Sequence, residues 1–325
     1  MADLSVHYLG LKLKNPVIAA SSGLVAGVDG VRKAFEGGAA AVVLKSLFEE
    51  QLKEELSGID QELNLHPEAE AFLAGMGMSE GTEEYIRLIE GAKGLGLGPV
   101  IASVNCVGRG LWVDFAKRMA EAGADAIELN IGHLPDDPEE SSAHIEDRIV
   151  ALASSVCQAV RVPVAVKLGS SYTNVGHLMH RLARAGVQAG VLFNRFYRMD
   201  VDLDLMSLST GPMKSSPEAY HESLRWIALL EGRTGLELCA AGGVYDGQTA
   251  LKLVAAGAQA VQVCSAAYAK GYGAFGAIAE EMSALLDKRS IASVAELRGR
   301  LARRNSERPE IYGRLHYVKA LIGQG

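Results

Sequence analysis

Apolar and polar positions along this chain follow a recurring unit: a Gly/Ala-rich helix end, four or five apolar residues, then a polar residue. It runs Gly37-Gly38-Ala39-Ala40-Ala41-Val42-Val43-Leu44-Lys45-Ser46 and returns as Ala122–Asn130, Ala185–Asn194 and Ala256–Ser265. Glycine just past a helix supplies a left-handed cap, and a short unbroken apolar run suits a strand buried on both faces. The polar residue then falls at the carboxyl end of a parallel strand, where α/β barrels and open α/β sheets carry their chemistry. Lys45, Ser46, Asn130, Asn194 and Ser265 are therefore expected on one rim. Any α/β protein repeats such turns, but here all four copies end in polar residues.

Eight buried strands are expected, within Asn15–Ala20, Ala41–Leu44, Val100–Ser103, Ala126–Asn130, Val164–Lys167, Gly190–Phe193, Leu236–Ala240 and Ala260–Cys264. Helical spacing appears between most of them, at Trp112–Ala122, Ala143–Val160, Val175–Ala185 and Gly247–Ala256. Eight alternating strands and helices match a (β/α)8 TIM barrel. Val6–Tyr8 and Lys12–Lys14, flanking Leu9-Gly10, read as an N-terminal hairpin. Phe48–Gly98 and Arg195–Ser216 are too long for ordinary connections and read as lid insertions. Arg289–Gly325 reads as a charged helical tail on the barrel's outside. The expectation is one domain over residues 1–325.

Hydrophobic residues make up 49% and charged residues 22%, which allows a large core. A formal net charge of −7 argues against a nucleic-acid partner, which calls for a basic surface. The N-terminus shows no apolar signal region, and no apolar run reaches the roughly 20 residues of a membrane span. Cys106, Cys157, Cys239 and Cys264 are scattered, without the pairing that zinc or an iron–sulfur cluster needs. A cytoplasmic protein without a metal is expected.

Gly242-Gly243 follows the seventh barrel strand, and Cys264-Ser265 follows the eighth and opens a helix. Glycines there let a phosphate approach the backbone, and Ser265 adds a hydroxyl. Lys45 and Lys167 end strands on the same rim, each as a Schiff-base nucleophile, a fixed positive charge beside an anion, or a lysine reaching out to solvent. Two lysines beside two asparagines fit a planar, electron-accepting ring such as a flavin, whose reduced anion a cation stabilises.

The set Asn15-Pro16, Ala20-Ser21, Lys45-Ser46, Glu128-Leu129-Asn130, Val166-Lys167-Leu168, Asn194, Gly242-Gly243 and Ser265 resembles the FMN-binding barrel of the dihydroorotate dehydrogenases. The similarity runs from about Leu4 to Leu286 and is closer to their soluble class. It implies FMN at the carboxyl rim, its phosphate on Gly242, Gly243, Cys264 and Ser265. Ala20, Ser21, Lys45, Ser46, Asn130, Lys167 and Asn194 would surround the ring. It also implies a homodimer, with Phe193, Phe196, Tyr197, Met199 and Met206 as apolar surface, and an electron-transfer partner subunit. Met76, Gly77, Asn130, Asn194 and Arg195 would face a small-molecule substrate.

The departures from the family pattern lie on the substrate side. Where the soluble family continues Asn-Leu-Ser-Cys-Pro-Asn, this chain reads Asn130-Ile131-Gly132-His133-Leu134-Pro135, so His133 replaces the cysteine base. The family's Asn-Ser-Met-Gly loop becomes Ala74-Gly75-Met76-Gly77, and a further substrate asparagine falls on Pro135. His133 has three readings: general base, hydrogen-bond partner of the substrate, or exposed loop residue. Arg195 has two: a carboxylate clamp, or a partner of Asp200, Asp202 or Asp204. His177, His180 and His221 read as surface or structural residues. Two further functions stay open, a relay flavoprotein without its own base and a flavin-free aldolase using Lys167.

Overall fold

Two residues with positive φ, Leu9 at 54° and Gly10 at 70°, turn the chain between β1 (Val6–Tyr8) and β2 (Leu11–Leu13). A tight hairpin needs positive φ at both central positions, so Leu9 is strained unless burial compensates. Leu9 is buried, and its N–H donates to Glu237 Oε2 at 2.6 Å. Glu237 begins a barrel strand, so the hairpin is fastened to the barrel's amino-terminal end, away from the rim.

This computed structural model describes residues 1–49, 81–106, 112–196 and 198–313, with residues 318 and 322. The remaining strands are β3 (Val17–Ala19), β4 (Ala41–Val43), β5 (Leu47–Phe48), β6 (Val100–Cys106), β7 (Ala126–Ile131), β8 (Val164–Leu168), β9 (Ala189–Leu192), β10 (Met199–Asp202), β11 (Ser207–Thr210), β12 (Glu237–Ala241) and β13 (Ala260–Val263). Among the described residues, β3, β4, β6, β7, β8, β9, β12 and β13 pair in parallel, and β13 returns to β3 to close the ring. This is the (β/α)8 barrel expected from the apolar runs, and all eight expected strands are present. β6 runs to Cys106, beyond the expected Ser103, and its outer half pairs with β5 (Leu47↔Val104, Phe48↔Asn105).

The helices are α1 (Val28–Glu36), α2 (Thr82–Gly94), α3 (Trp112–Glu121), α4 (Ser142–Ala159), α5 (Val175–Arg184), α6 (Tyr220–Leu230), α7 (Gly247–Ala256), α8 (Ser265–Lys270), α9 (Ala274–Asp287) and α10 (Val294–Leu297). α3, α4, α5 and α7 fall where the spacing puts them. α2 occupies the end of the first insertion, and its Tyr85 hydroxyl donates to Ser103 O at 2.8 Å and accepts from Ser103 N at 2.7 Å. It thus satisfies the β6 backbone where pairing with β4 ends at Val43↔Ile101. The second insertion is a hairpin, β10 against β11, with Val201 opposite Leu208. Residues 289–313 hold α10 and two 3-10 turns, tied to the body by Arg304 and Arg298 on the buried Glu231 carboxylate at 3.0 and 3.8 Å. No helix among the described residues is long and apolar enough to cross a membrane.

Candidate active site

Side chains alternate across a strand, so the register decides which residues enter the barrel. Asn105 pairs with Asn130 and Asn130 with Lys167, while Ser103 pairs with Glu128. Lys167 and Glu128 both meet Gln262 of β13 across the barrel, so this whole set faces inward. Lys167 Nζ donates to Gln262 Oε1 at 2.8 Å, and Gln262 Nε2 donates to Glu128 Oε2. Lys167 Nζ stands 3.9 Å from Glu128 Oε1. Burial pushes the Glu128 carboxyl up, and the Lys167 charge and the Gln262 hydrogen bond pull it partly back. Lys167 Nζ is thus engaged by the Gln262 amide oxygen and faces the Glu128 carboxylate.

Asn130 is buried, and its Oδ1 accepts no hydrogen bond; Glu128 Oε1 accepts none either but has the Lys167 ammonium 3.9 Å away. A buried acceptor left unpaired costs about 1–3 kcal/mol, so Asn130 is built for a donor from outside the chain. That is the fit expected of a ring carrying N–H groups beside the Lys167 cation.

Three hydroxyls run inward from the rim. Ser21 Oγ lies 3.0 Å from Ser46 Oγ, which lies 2.7 Å from Ser103 Oγ, and Ser46 N donates to Ser21 Oγ at 2.9 Å. This ties the end of β3 to the end of β4 and sets the backbone beside Lys45, which is half-buried. Ala20 is fixed by its N–H on Val263 O at 2.9 Å, and Asn194 by its N–H on Leu168 O at 2.7 Å. Ala20, Ser21, Lys45, Ser46, Asn130, Lys167 and Asn194 thus all sit at strand ends on one side of the barrel.

The two glycines after β12 have different jobs. Gly242 has φ +92° and a Cβ there would meet nothing within 4 Å, so one face of its backbone is open. Gly243 has φ +72°, and a Cβ would fall 2.4 Å from Tyr220 N, so it is packed against the start of α6. Gly243 N donates to Ser215 Oγ at 3.3 Å, and Ser215 donates to Ser265 Oγ through both its hydroxyl and its N–H at 3.0 Å. Ser265 Oγ is the acceptor in both contacts, which leaves its own hydrogen to donate. Burial raises the Cys264 thiol, with Lys167 and the Ser22 hydroxyl opposing. The open Gly242 backbone and the Ser265 hydroxyl suit an anionic group, with the Lys167 charge close enough to be felt at Cys264.

His133 is not an exposed loop residue, since its side chain is only 16% exposed. Its Nε2 lies 3.1 Å from Arg148 Nη2 and 3.4 Å from Glu140 Oε2. Arg148 in turn grips Glu140, Nη1 on Oε1 at 2.8 Å and Nη2 on Oε2 at 3.1 Å. Arg195 does not pair with Asp200, Asp202 or Asp204; its guanidinium donates to Pro212 O at 2.6 Å and Met213 O at 3.0 Å. The base of the hairpin insertion supplies carbonyls within reach, and these take the donors that Asp200, Asp202 and Asp204 were expected to use. Met76 and Gly77, with Ala74 and Gly75, lie outside the described residues, as does Tyr197. Phe193 is buried in the core, whereas Met199 and Met206 are exposed on the hairpin.

Sequence reasoning passed over Asn105, Ser215 and Gln262. Asn105 is at the level of Asn130, and a Cβ at position 132 would fall 2.1 Å from its Oδ1. Gly132 therefore makes room for the Asn105 amide. The run Ser103-Val104-Asn105 held an alternation signal, because Ser103 and Asn105 are two apart and so share one face of a strand. Ser215 and Gln262 carried none, since their roles depend on partners 50 and 95 residues away.

A family model described as dihydroorotate dehydrogenase matches residues 3–286. The chain is 27% identical over 306 residues to a Thermoplasma acidophilum protein named dihydroorotate dehydrogenase B (NAD(+)), catalytic subunit, covering 92% of this chain and 99% of that one. It is 28% identical over 306 residues to the Methanosarcina mazei protein of the same name, covering 89% and 92%. The Pyrococcus abyssi protein of that name is 27% identical over 303 residues, covering 91% and 98%.

Proposed function

Because the chain belongs to the dihydroorotate dehydrogenase family, whose members are oxidoreductases acting on CH–CH bonds, we propose that it is an FMN-dependent oxidoreductase of a small ring-shaped or carboxylated substrate. The observation that carries this reading is the buried, unpaired Asn130 Oδ1 on a strand whose neighbour brings in the Lys167 cation. When bound, FMN would supply a two-electron acceptor for the substrate's hydride. Lys167 and Lys45 would place positive charge along the ring, and Asn130 and Asn194 would orient it and the substrate. Gly242, Gly243, Cys264 and Ser265 would receive the phosphate. His133 stands two residues past the end of β7 and would exchange a proton with the substrate. The Lys167 amine is engaged by Gln262 and Glu128 inside the barrel, which disfavours the Schiff-base aldolase, whose lysine must be open to a carbonyl.

The substrate side differs from the family pattern at Ala74 and Pro135. Each lost amide leaves a polar contact unpaired at about 1–3 kcal/mol, so unless Arg195 compensates at the carboxylate the two together weaken dihydroorotate binding by roughly a hundredfold or more. We therefore assign dihydroorotate as a poor substrate and a related small cyclic compound as the preferred one. The relatives carry the words catalytic subunit in their names, which supports an electron-transfer partner for this chain as well.

The test is an anaerobic titration. The purified protein should be yellow, release FMN on heating, and bleach with one member of a dihydropyrimidine panel. Bound FAD or a protein that takes up no flavin on reconstitution sinks the cofactor reading. FMN that no member of the panel reduces favours the relay function.

A further inference from the structure

Arginine has only donors, so a hydrogen bond from Arg148 Nη2 to His133 Nε2 requires a lone pair on that nitrogen. A neutral imidazole carries one proton, which then sits on Nδ1. Glu140 makes the opposite demand, because a carboxylate accepts only, and its Oε2 would pair with a protonated Nε2 at 3.4 Å. Two groups of opposite preference thus compete for one nitrogen, and the guanidinium has the closer contact. We propose that Arg148 is a positioning residue that holds His133 in the Nδ1–H tautomer at rest. Proton exchange at Nδ1 then requires Nε2 to pass from Arg148 to Glu140.

The surrounding groups support this division of roles. Arg148 is anchored bidentately on Glu140 and extends from α4, whose N-cap Ser141 fixes the first turn by accepting from His144 N at 3.3 Å. His144 Nε2 reaches Glu140 Oε1 at 3.8 Å, so Glu140 faces Arg148, His144 and His133 together. The Glu140 side chain is only 14% exposed, whereas that of Arg148 is 32% exposed, so the carboxylate end of each contact is the one shielded from water. Taking up a proton at Nε2 would set two donors against each other at the Arg148 contact, and only Glu140 can compensate. With the proton on Nε2 and Glu140 as its acceptor, Nδ1 has a free lone pair and is a base. With Arg148 as the partner, Nδ1 is a donor. Neither residue needs to touch the substrate to set this choice. The catalytic consequence rests on the proposed oxidoreductase reading; the tautomer itself does not.

The test uses the full chain labelled with 15N-histidine, with the His133 signals assigned by loss in His133→Gln. Long-range 1H–15N correlation spectra at pH 8 report which ring nitrogen carries the proton, without cofactor turnover or substrate. The expected wild-type pattern is Nδ1–H. Arg148→Met should invert it to Nε2–H, while Arg148→Lys, which keeps a donor, should retain Nδ1–H. Glu140→Gln is the second variant, should Arg148→Met not fold: it removes the competing carboxylate and keeps the Arg148 donor, so His133 should stay Nδ1–H. A wild-type Nε2–H pattern overturns the proposal, as does an unchanged tautomer in Arg148→Met or a switch to Nε2–H in Glu140→Gln. Any of these would leave the flavin titration above unaffected.

Discussion

Lys167 and Glu128 face each other 3.9 Å apart inside the barrel, with Gln262 donating to one and accepting from the other. Glu128 is raised by burial and held down by the Lys167 charge. Lys167→Met removes that charge and pushes Glu128 up further. A carboxyl raised in the folded state contributes stability below its unfolded pKa, about 4.5, and loses it as pH rises through the folded value. Breaking a buried pair typically costs about 3–5 kcal/mol while the remaining group is charged. Lys167→Met should therefore be most destabilised at pH 8 and approach wild type toward pH 5, as read by urea unfolding at several pH values. Equal destabilisation across that range would show that Glu128 does not titrate against Lys167.

The same variant tests the proposed flavin site. If the Lys167 cation stabilises an anionic reduced ring, Lys167→Met lowers the reduction potential of bound FMN. A well-folded, FMN-replete variant with an unchanged potential would place the lysine away from the ring.

Gly132 and Asn105 form the second test. A methyl group at 132 would fall 2.1 Å from Asn105 Oδ1, so Gly132→Ala must displace the amide. Asn105→Ala removes it outright. If Asn105 makes up for one of the amides missing at Ala74 and Pro135, both variants raise KM by about tenfold, the effect of one lost polar contact, with the FMN spectrum intact. A KM unchanged in Asn105→Ala would assign the amide to packing alone.

Gly242 carries φ +92° with open space beside it, a conformation that costs a residue with a Cβ about 1–2 kcal/mol. Gly242→Ala combines that strain with a methyl group in the proposed phosphate position. FMN affinity should drop by about tenfold or more in equilibrium dialysis, with riboflavin affinity less affected. Equal losses for the two ligands would mean that the phosphate lies elsewhere.

The β10–β11 hairpin exposes Met199, Val201, Leu203, Leu205, Met206 and Leu208, and a two-stranded hairpin is at best marginal alone in water. We expect it to be covered in a homodimer. Light scattering should give a mass of two chains at micromolar concentration, reduced to one by Val201→Asp with Leu208→Asp. A wild-type mass of one chain would rule this out.

The strand ends were legible because their signal is local. An apolar run between a glycine cap and a polar residue reports burial on both faces and the rim position at once, so Lys45, Asn130, Lys167 and Asn194 could be placed without coordinates. α1, α2 and α9 were not read from periodicity, although all three are present. Arg195 shows the limit on the polar side: its chemistry was clear, but two carbonyls from Pro212 and Met213 took its donors instead of the nearby aspartates.

The sequence by itself determined the barrel, its eight strands, the rim on which the chemistry collects and the family. These follow from hydrophobic burial and backbone turns, which depend on neighbours in the chain. Only the tertiary structure decided that Gln262 joins Lys167 to Glu128 across the barrel, that Gly243 packs while Gly242 stays open, and that His133 leans on Arg148 and Glu140. Those relations depend on the shear and closure of the ring and on helix α4 folding back over the turn after β7. Hydrogen bonding is short-ranged and directional, so it is settled only once distant segments have been brought within about 3 Å of one another.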